Sequence, residues 1–276
     1  MPQHSVTVIK LDGTPEAFDP DKLRASLLRS GAAREDIESI VAEIEPTLVD
    51  GTTTSQIYKR AFTLLKKFQV RPAAARYSMK RAIQELGPSG FPFEDFVTEL
   101  FRAQGYKTAT GLIVPGHCVE HELDVRAEKG DTVIGAELKF HNNLGIKSDL
   151  KIALYVHARF EDLIRAQEKN HITEGWLMTN TSFTQNAIQY AECAGLKMVS
   201  WSYPQGGTLQ DLIERSGVQP VTALTSLTQR EKRLLLERRV VLCKSLPDNA
   251  QAMESIGMPG RRIDEALQES RAVCGA

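Results

Sequence analysis

Apolar and polar positions divide the chain into three stretches of different grammar. Residues 6–11 alternate weakly and are β-prone, Asp12-Gly13 is a turn signal, and a second extended piece runs to Phe18. A small β-ribbon therefore opens the chain. Asp19-Pro20 supplies an N-cap with proline at the first helical position. Leu23, Leu27 and Leu28 mark a helix ending at Gly31, and a second helix covers about 34–44. A third starts after a cap at Thr54 or Ser55 and buries Ile57, Ala61, Leu64, Leu65 and Phe68. A fourth follows Arg71-Pro72 to Leu86, and the short connection between the last two favours antiparallel packing.

Gly87-Pro88-Ser89-Gly90 interrupts this pattern and sets a domain boundary. A helix over 93–104 follows, with Phe96, Val97, Leu100 and Phe101 on its apolar face, and Gly105 stops it. Strands are predicted at about 119–127 and 132–140, joined by Glu128-Lys129-Gly130-Asp131. After a loop rich in Asn and Gly come a helix over about 149–168, a buried strand over 175–179, a helix over 183–195 and a strand over 196–201. Strands alternating with helices are α/β grammar. Residues 220–276 read as helical throughout. The expected organisation is a ribbon-capped helical bundle over 1–87, an α/β domain over 91–203 and a helical C-terminal segment over 220–276.

With 42% hydrophobic and 25% charged residues, the composition is that of a globular protein with room for a sizeable core. Lys and Arg number 34 against 35 Asp and Glu, which excludes a protein that coats phosphate through bulk charge and leaves only local patches. One such patch is Arg230, Lys232, Arg233, Arg238 and Arg239, placed on one predicted helix that contacts phosphate, forms a dimer contact or simply packs. The four cysteines, 118, 193, 243 and 274, form no Cys-x-x-Cys pair and no framework spacing, so reduced thiols and a cytoplasmic location are expected. Met1-Pro2-Gln3-His4-Ser5 lacks the order of a secretory leader, and no stretch nears the ~20 apolar residues of a membrane span.

Candidate chemistry concentrates in Glu120-His121-Glu122-Leu123-Asp124-Val125 and Gly135-Ala136-Glu137-Leu138-Lys139. Strand side chains alternate, so Glu137 and Lys139 share a face. If Lys129-Gly130 is a two-residue hairpin loop, Asp124 lies opposite Gly135 and diagonal to Glu137, and all three converge. A three-residue loop without a bulge would separate them. A convergent pair of carboxylates suits Mg²⁺ or Mn²⁺, which take oxygen ligands. The lysine would then orient water and stabilise charge on phosphoryl oxygens. The alternative is an exposed amphipathic hairpin with a surface charge pair. His117, His121 and His141 are weaker candidates for metal or phosphate contact. Gln167 reads as solvated, Asn142 and Asn143 as turn residues, and Cys118 and Cys193 as packing residues.

The order Phe91-Pro92-Phe93-Glu94-Asp95-Phe96-Val97, Gly105-Tyr106, Glu122-Leu123-Asp124-Val125, Glu137-Leu138-Lys139, then Gly175-Trp176-Leu177-Met178-Thr179-Asn180-Thr181-Ser182-Phe183-Thr184 resembles the Mrr-like branch of the PD-(D/E)xK nuclease superfamily. The resemblance implies a restriction-endonuclease-like α/β domain with a mixed sheet and metal-dependent cleavage of DNA phosphodiesters. It makes Asp124, Glu137 and Lys139 the motif, with Asp124 and Glu137 on the metal. Glu94 matches the acidic residue of the family's first helix.

Val8-Ile9-Lys10-Leu11-Asp12-Gly13, Glu16, Phe18-Asp19-Pro20-Asp21-Lys22-Leu23 and Ala73-Ala74-Ala75-Arg76-Tyr77 resemble the ATP-cone, a regulatory module that binds ATP or dATP. By that resemblance Lys10 and Lys22 meet phosphates, Glu16 contacts the nucleotide and Thr54 caps near it. Leu11 stands where the family commonly has arginine, and Tyr58 where a histidine is often found. The module is therefore either a nucleotide site or a structural, dimerising remnant. The combined expectation is a DNA endonuclease gated by a nucleotide, acting as a homodimer when it cuts both strands. The alternative is a non-catalytic, nucleotide-responsive DNA-binding regulator on a retired nuclease fold.

Overall fold

The computed structural model describes residues 6–11, 13–68 and 71–274. The Asp12 half of the expected ribbon turn and residues 69 and 70 lie outside that set. In the first segment β1 (Thr7–Ile9) pairs antiparallel with β2 (Pro15–Ala17), and α1 (Pro20–Arg29) and α2 (Arg34–Ile44) follow. Next, β3 (Thr52–Thr53) pairs parallel with β1, α3 (Thr54–Lys67) and α4 (Arg71–Tyr77) complete the bundle, and α5 (Met79–Gln84) follows. Asp19 caps α1 by accepting the Asp21 N–H, with proline in its first turn. The cap of α3 is Thr53 rather than Thr54: its hydroxyl accepts the Gln56 N–H, and the Gln56 side chain returns to the Thr53 N–H in a capping box. The fourth predicted helix is broken at Ser78 into two.

The core of this segment gathers Leu27, Ile40, Ile44, Ala61 and Leu65, and it ends at Ala74. Helix α5 belongs to the next core. Met79, Ala82 and Ile83 pack with Phe93, Phe96 and the apolar residues of the C-terminal segment.

The central segment comprises α6 (Phe91–Ala103), β4 (Lys107–Pro115), β5 (Glu120–Lys129), β6 (Thr132–Lys139), β7 (Lys147–Ser148), α7 (Leu150–Arg165), α8 (Gln167–Asn170), β8 (Glu174–Thr179), β9 (Ser182–Phe183), α9 (Gln185–Ala194), β10 (Lys197–Val199) and α10 (Leu209–Ser216). Its main sheet has the order β10-β8-β6-β5-β4, antiparallel from β4 to β6 and parallel from β6 to β10. The mixed sheet follows from the sequence: β5 and β6 are joined by a tight turn, whereas β6, β8 and β10 are separated by helical crossovers.

The edge strand β4 was not foreseen. None of its nine residues is buried, and Gly111 at φ +60° interrupts it, so it carries no two-residue apolar alternation. Helix α10 was also missed.

Two glycines set the depth of α7. A Cβ on Gly175 would lie 2.3 Å from Phe160 Cγ, and one on Gly135 would lie 2.8 Å from Phe160 Cε1. Phe160 is 2% exposed, so α7 seats its ring directly on the sheet.

The C-terminal segment, α11 (Gln229–Glu237), α12 (Ala250–Ser255) and α13 (Gly260–Cys274), is joined by short 3-10 turns and a β-bridge between Pro220 and Leu242, so it is not helical throughout. It docks on α5 through the Thr222 hydroxyl, which donates to the Ala82 carbonyl at 2.6 Å, and through Lys232, which meets Glu85 at 3.1 Å. Buried Glu269 accepts the Thr225 and Ser226 N–H groups at 2.9 and 2.7 Å. Cys243 and Cys274 form a disulfide across 31 residues, which corrects the expectation of four reduced thiols. The packing of α13 brings them together, and their spacing in sequence carries no trace of it. Cys118 and Cys193 are free and exposed. Among the described residues no helix is long and apolar enough to cross a membrane.

Candidate active site

The hairpin between β5 and β6 sets the site. Lys129 pairs with Thr132, so the two-residue loop is Gly130-Asp131, one position beyond the expected Lys129-Gly130. Gly130, at φ +57°, takes the left-handed conformation such a loop needs at its first central residue. The pairing moves by two, which preserves every face. The last rung is Val125 with Ala136, and the next positions along the two strands are Asp124 and Glu137. There the ladder ends: the Leu138 N–H is taken by Asp124 Oδ2 at 2.6 Å.

Asp124, Glu137 and Lys139 are thus brought together. Lys139 Nζ donates to Glu137 Oε1 at 2.6 Å, and Glu137 is 3% exposed. Burial and the neighbouring Glu137 carboxylate push the Asp124 carboxyl up, while the Leu138 N–H, Lys139 and Arg159 pull against them. Glu94, in the first turn of α6, joins the cluster. Its carboxyl is pushed up to about 7 by burial first, then by Asp124, Asp95, Glu122 and Glu137.

Arg159, on α7, was not foreseen. It donates to Glu137 Oε2, to the Tyr155 hydroxyl, and to the Glu122 carbonyl at 3.2 Å. No short-range pattern marks it; its reach depends on the glycines that admit Phe160. A cleft of about 770 Å³ opens over Glu94, Glu122 and Asp124, and its opposite wall is Arg233, Leu236 and Arg239 of the C-terminal segment. Arg239 crosses to Asp95 with a 2.7 Å bond. Of the predicted basic cluster, only Arg230, Lys232 and Arg233 lie on α11; Arg238 and Arg239 follow its end, and Lys232 is buried against Glu85.

His121 and His141 take structural positions, and His117 is exposed. His121 bonds Asp162 at 2.8 Å, and His141 bonds the Ser148 hydroxyl at 2.9 Å. Asn143 accepts the Gly145 N–H in a turn, and Gln167 is exposed at the start of α8.

A divalent ion suits Asp124 and Glu137 on donor chemistry. Both present hard carboxylate oxygens, and the crowding that raises the Asp124 and Glu94 carboxyls is relieved by a cation. Among the described residues no three acidic, histidine or cysteine side chains form a ready-made cage. Mg²⁺ commonly takes one or two carboxylates and completes its shell with water and phosphate.

In the first segment Glu16 is ion-paired to both Lys10 and Lys22. The pairing of Ile9 with Thr53 places Thr54 at the same end of the ribbon. Leu11 is 52% exposed, and Tyr58 is stacked on Tyr77 with centroids 5.3 Å apart.

Comparison with known proteins agrees with this architecture. Residues 6–86 match the ATP cone domain, 87–203 a restriction endonuclease domain of the Mrr catalytic type, and 220–274 the AF1548-like C-terminal region. An uncharacterized protein of Archaeoglobus fulgidus is 34% identical over 180 residues, which is 65% of this chain and all of that protein. The crystal structure of AF1548, a protein of unknown function, superposes with a TM-score of 0.55 at 32% identity, covering 68% of this chain and 99% of its own. The MspJI restriction endonuclease in complex with a 27-mer oligonucleotide overlaps more loosely, with a TM-score of 0.35 at 17% identity over 51% of this chain and 32% of its own. The fold and domain order define a restriction-endonuclease-like protein that carries an ATP cone. The chain belongs to the AF1548-like family.

Proposed function

We propose that this protein is a divalent-metal-dependent endonuclease that hydrolyses DNA phosphodiester bonds, with ATP or dATP bound by the N-terminal segment as effector. The observation that carries the reading is the meeting of Asp124, Glu137 and Lys139, with Asp124 and Glu94 lining one cleft. Asp124 and Glu137 would hold Mg²⁺ or Mn²⁺. When bound, such an ion polarises the phosphate and lowers the pKa of a coordinated water. Lys139 orients the attacking water and donates to the phosphoryl oxygens as negative charge grows there. Glu94, titrating near neutrality, exchanges a proton at working pH. Arg233 and Arg239 offer cations to the flanking backbone. Cutting both strands calls for two such sites, and thus a homodimer.

Lys10, Lys22, Glu16 and Thr54 are the nucleotide contacts in this reading. One observation favours a second reading, a non-catalytic regulator. Both Glu137 oxygens are already met by protein cations. The deciding experiment is cleavage of plasmid and linear DNA with Mg²⁺ or Mn²⁺, with and without ATP and dATP. Metal-dependent cutting that disappears in Lys139→Ala supports the enzyme; DNA binding without cutting in every metal supports the regulator.

A further inference from the structure

Glu137 is buried, and each of its carboxylate oxygens faces a cation. The two cations arrive by different routes. Lys139 is two residues away on β6, so strand periodicity alone delivers it. Arg159 is delivered by tertiary packing: Gly135 and Gly175 let Phe160 sit on the sheet, and the adjacent arginine reaches Glu137.

The guanidinium is also held from outside the cluster. It donates to the Glu122 carbonyl at 3.2 Å and to the Tyr155 hydroxyl, and its centre lies 5.0 Å from the Tyr155 ring centroid. Glu137 is the charged partner among these contacts, and the others are neutral. The arginine can therefore give up the carboxylate and stay anchored. Each carboxylate oxygen keeps a second lone pair, but Glu137 is buried with a protein cation on both oxygens, so a divalent ion arriving there meets two like charges at close range, and one of them has to move aside. The neutral anchors of Arg159 make it the one that can yield without leaving the site.

Resting on the nuclease reading above, we infer that Arg159 is a built-in counter-ion of the metal site. It occupies Glu137 Oε2 while the divalent ion is absent, yields that oxygen when the ion binds, and then meets a phosphate oxygen of the substrate from its anchorage on Glu122 and Tyr155. Arginine suits both tasks, because its planar fork matches carboxylate and phosphate alike. Arg159 is a positioning residue for the metal ligand before it touches substrate. The arrangement keeps both oxygens of the buried carboxylate paired in the resting protein, where Lys139 alone would satisfy one.

The test is Mn²⁺ binding to the full chain by titration calorimetry, with Asp124→Asn as the blank, alongside melting temperature and cleavage kinetics. Arg159→Gln removes the competitor, so it is expected to bind Mn²⁺ roughly tenfold tighter, the order of one lost competing charge contact. Its melting temperature falls without metal and rises more than that of the unsubstituted protein on saturation with Mn²⁺. At saturating Mn²⁺ its kcat still falls, because the phosphate contact is gone. Arg159→Lys, which keeps the charge and loses the fork, lies between the two in Mn²⁺ affinity and provides a conservative variant should Arg159→Gln fold poorly. If Arg159→Gln and Arg159→Lys bind Mn²⁺ no tighter than the unsubstituted chain while the Asp124-dependent signal persists, the role given to Arg159 is wrong and the nuclease reading stands. If the unsubstituted chain shows no Asp124-dependent Mn²⁺ binding, both fall together.

Discussion

Asp124 Oδ2 accepts the backbone N–H of Leu138 at 2.6 Å, just beyond the last rung between β5 and β6. A side chain thus finishes what the backbone ladder leaves open. On the nuclease reading the same carboxylate has two tasks, strand closure and metal ligation, and the two separate by mutation. Asp124→Asn keeps a carbonyl acceptor for the Leu138 N–H and removes the charge. Cleavage is expected to fall by at least about a hundredfold, with unfolding free energy nearly unchanged. Asp124→Ala loses the acceptor as well and costs a further ~1–3 kcal/mol, the penalty of a buried donor left unpaired. Urea unfolding beside a nicking assay separates the two effects. Equal stability losses in both variants would sink the division of labour.

Glu94 makes the metal-free protein sensitive to pH. Its carboxyl holds a proton up to about 7 in the folded state, against an ordinary value of 4.5. The folded state therefore binds more protons than the unfolded chain over that interval, and stability falls as pH rises. The contribution is fully present below about pH 4.5 and is lost through pH 7. Because Glu94 is only partly buried, the loss is on the order of 1 kcal/mol once solvent screening is allowed for. The Asp124 shift has the same direction and adds to it. Unfolding in EDTA across this window measures the slope. Glu94→Gln flattens it, and saturating Mg²⁺ offsets it at the alkaline end.

The sequence makes some of this site readable because strand periodicity is local. Glu137 and Lys139 share a face whatever the register, and Asp124 joins them as long as the hairpin pairing moves in steps of two. That is why placing the loop one residue too early did no harm to the cluster. Other features depend on contacts that no short window contains. Arg159 reaches Glu137 because two distant glycines admit Phe160. Thr53 caps α3 because Gln56 reaches back to it, and Thr54 is simply the first helical residue. Strand β4 buries none of its residues completely, so its sequence resembles a loop. In the C-terminal segment, Lys232 belongs to a basic cluster that sequence alone leaves open between phosphate contact, dimer contact and packing; it packs, as a buried partner of Glu85 that helps attach this segment to α5.

The N-terminal segment makes a separate prediction. Lys10 and Lys22 converge on Glu16, so phosphates must compete with a carboxylate for both lysines. Leu11 is exposed beside Lys10 and contributes no charge. Leu11→Arg adds a bidentate phosphate donor and is expected to tighten ATP or dATP binding by about tenfold, whereas Lys22→Ala weakens it by a similar factor. Calorimetry on the full chain measures both. Unchanged affinity in the two variants would show that the nucleotide, if bound, does not use this end of the ribbon.

The disulfide joins a 3-10 turn that starts at Cys243 to the C-terminal end of α13, and it encloses most of the C-terminal segment. Cys243 is fully buried, and its carbonyl accepts the Ser270 hydroxyl at 2.7 Å, so the two ends pack together independently of the covalent bond. The cross-link therefore acts chiefly on the unfolded chain by restricting a loop of this length. Its removal is expected to cost about 2–4 kcal/mol. The cleft wall formed by Arg233 and Arg239 lies just before the stapled stretch in the chain, so the same change should loosen that wall. Cys243→Ala with Cys274→Ala is expected to lower the melting temperature and raise KM for DNA, with kcat little altered, because Asp124, Glu137 and Lys139 stand on β5 and β6, outside the stapled segment. Thermal unfolding with and without dithiothreitol isolates the cross-link in the unsubstituted chain. A variant that loses kcat while KM stays constant would contradict this assignment of the C-terminal segment to substrate binding.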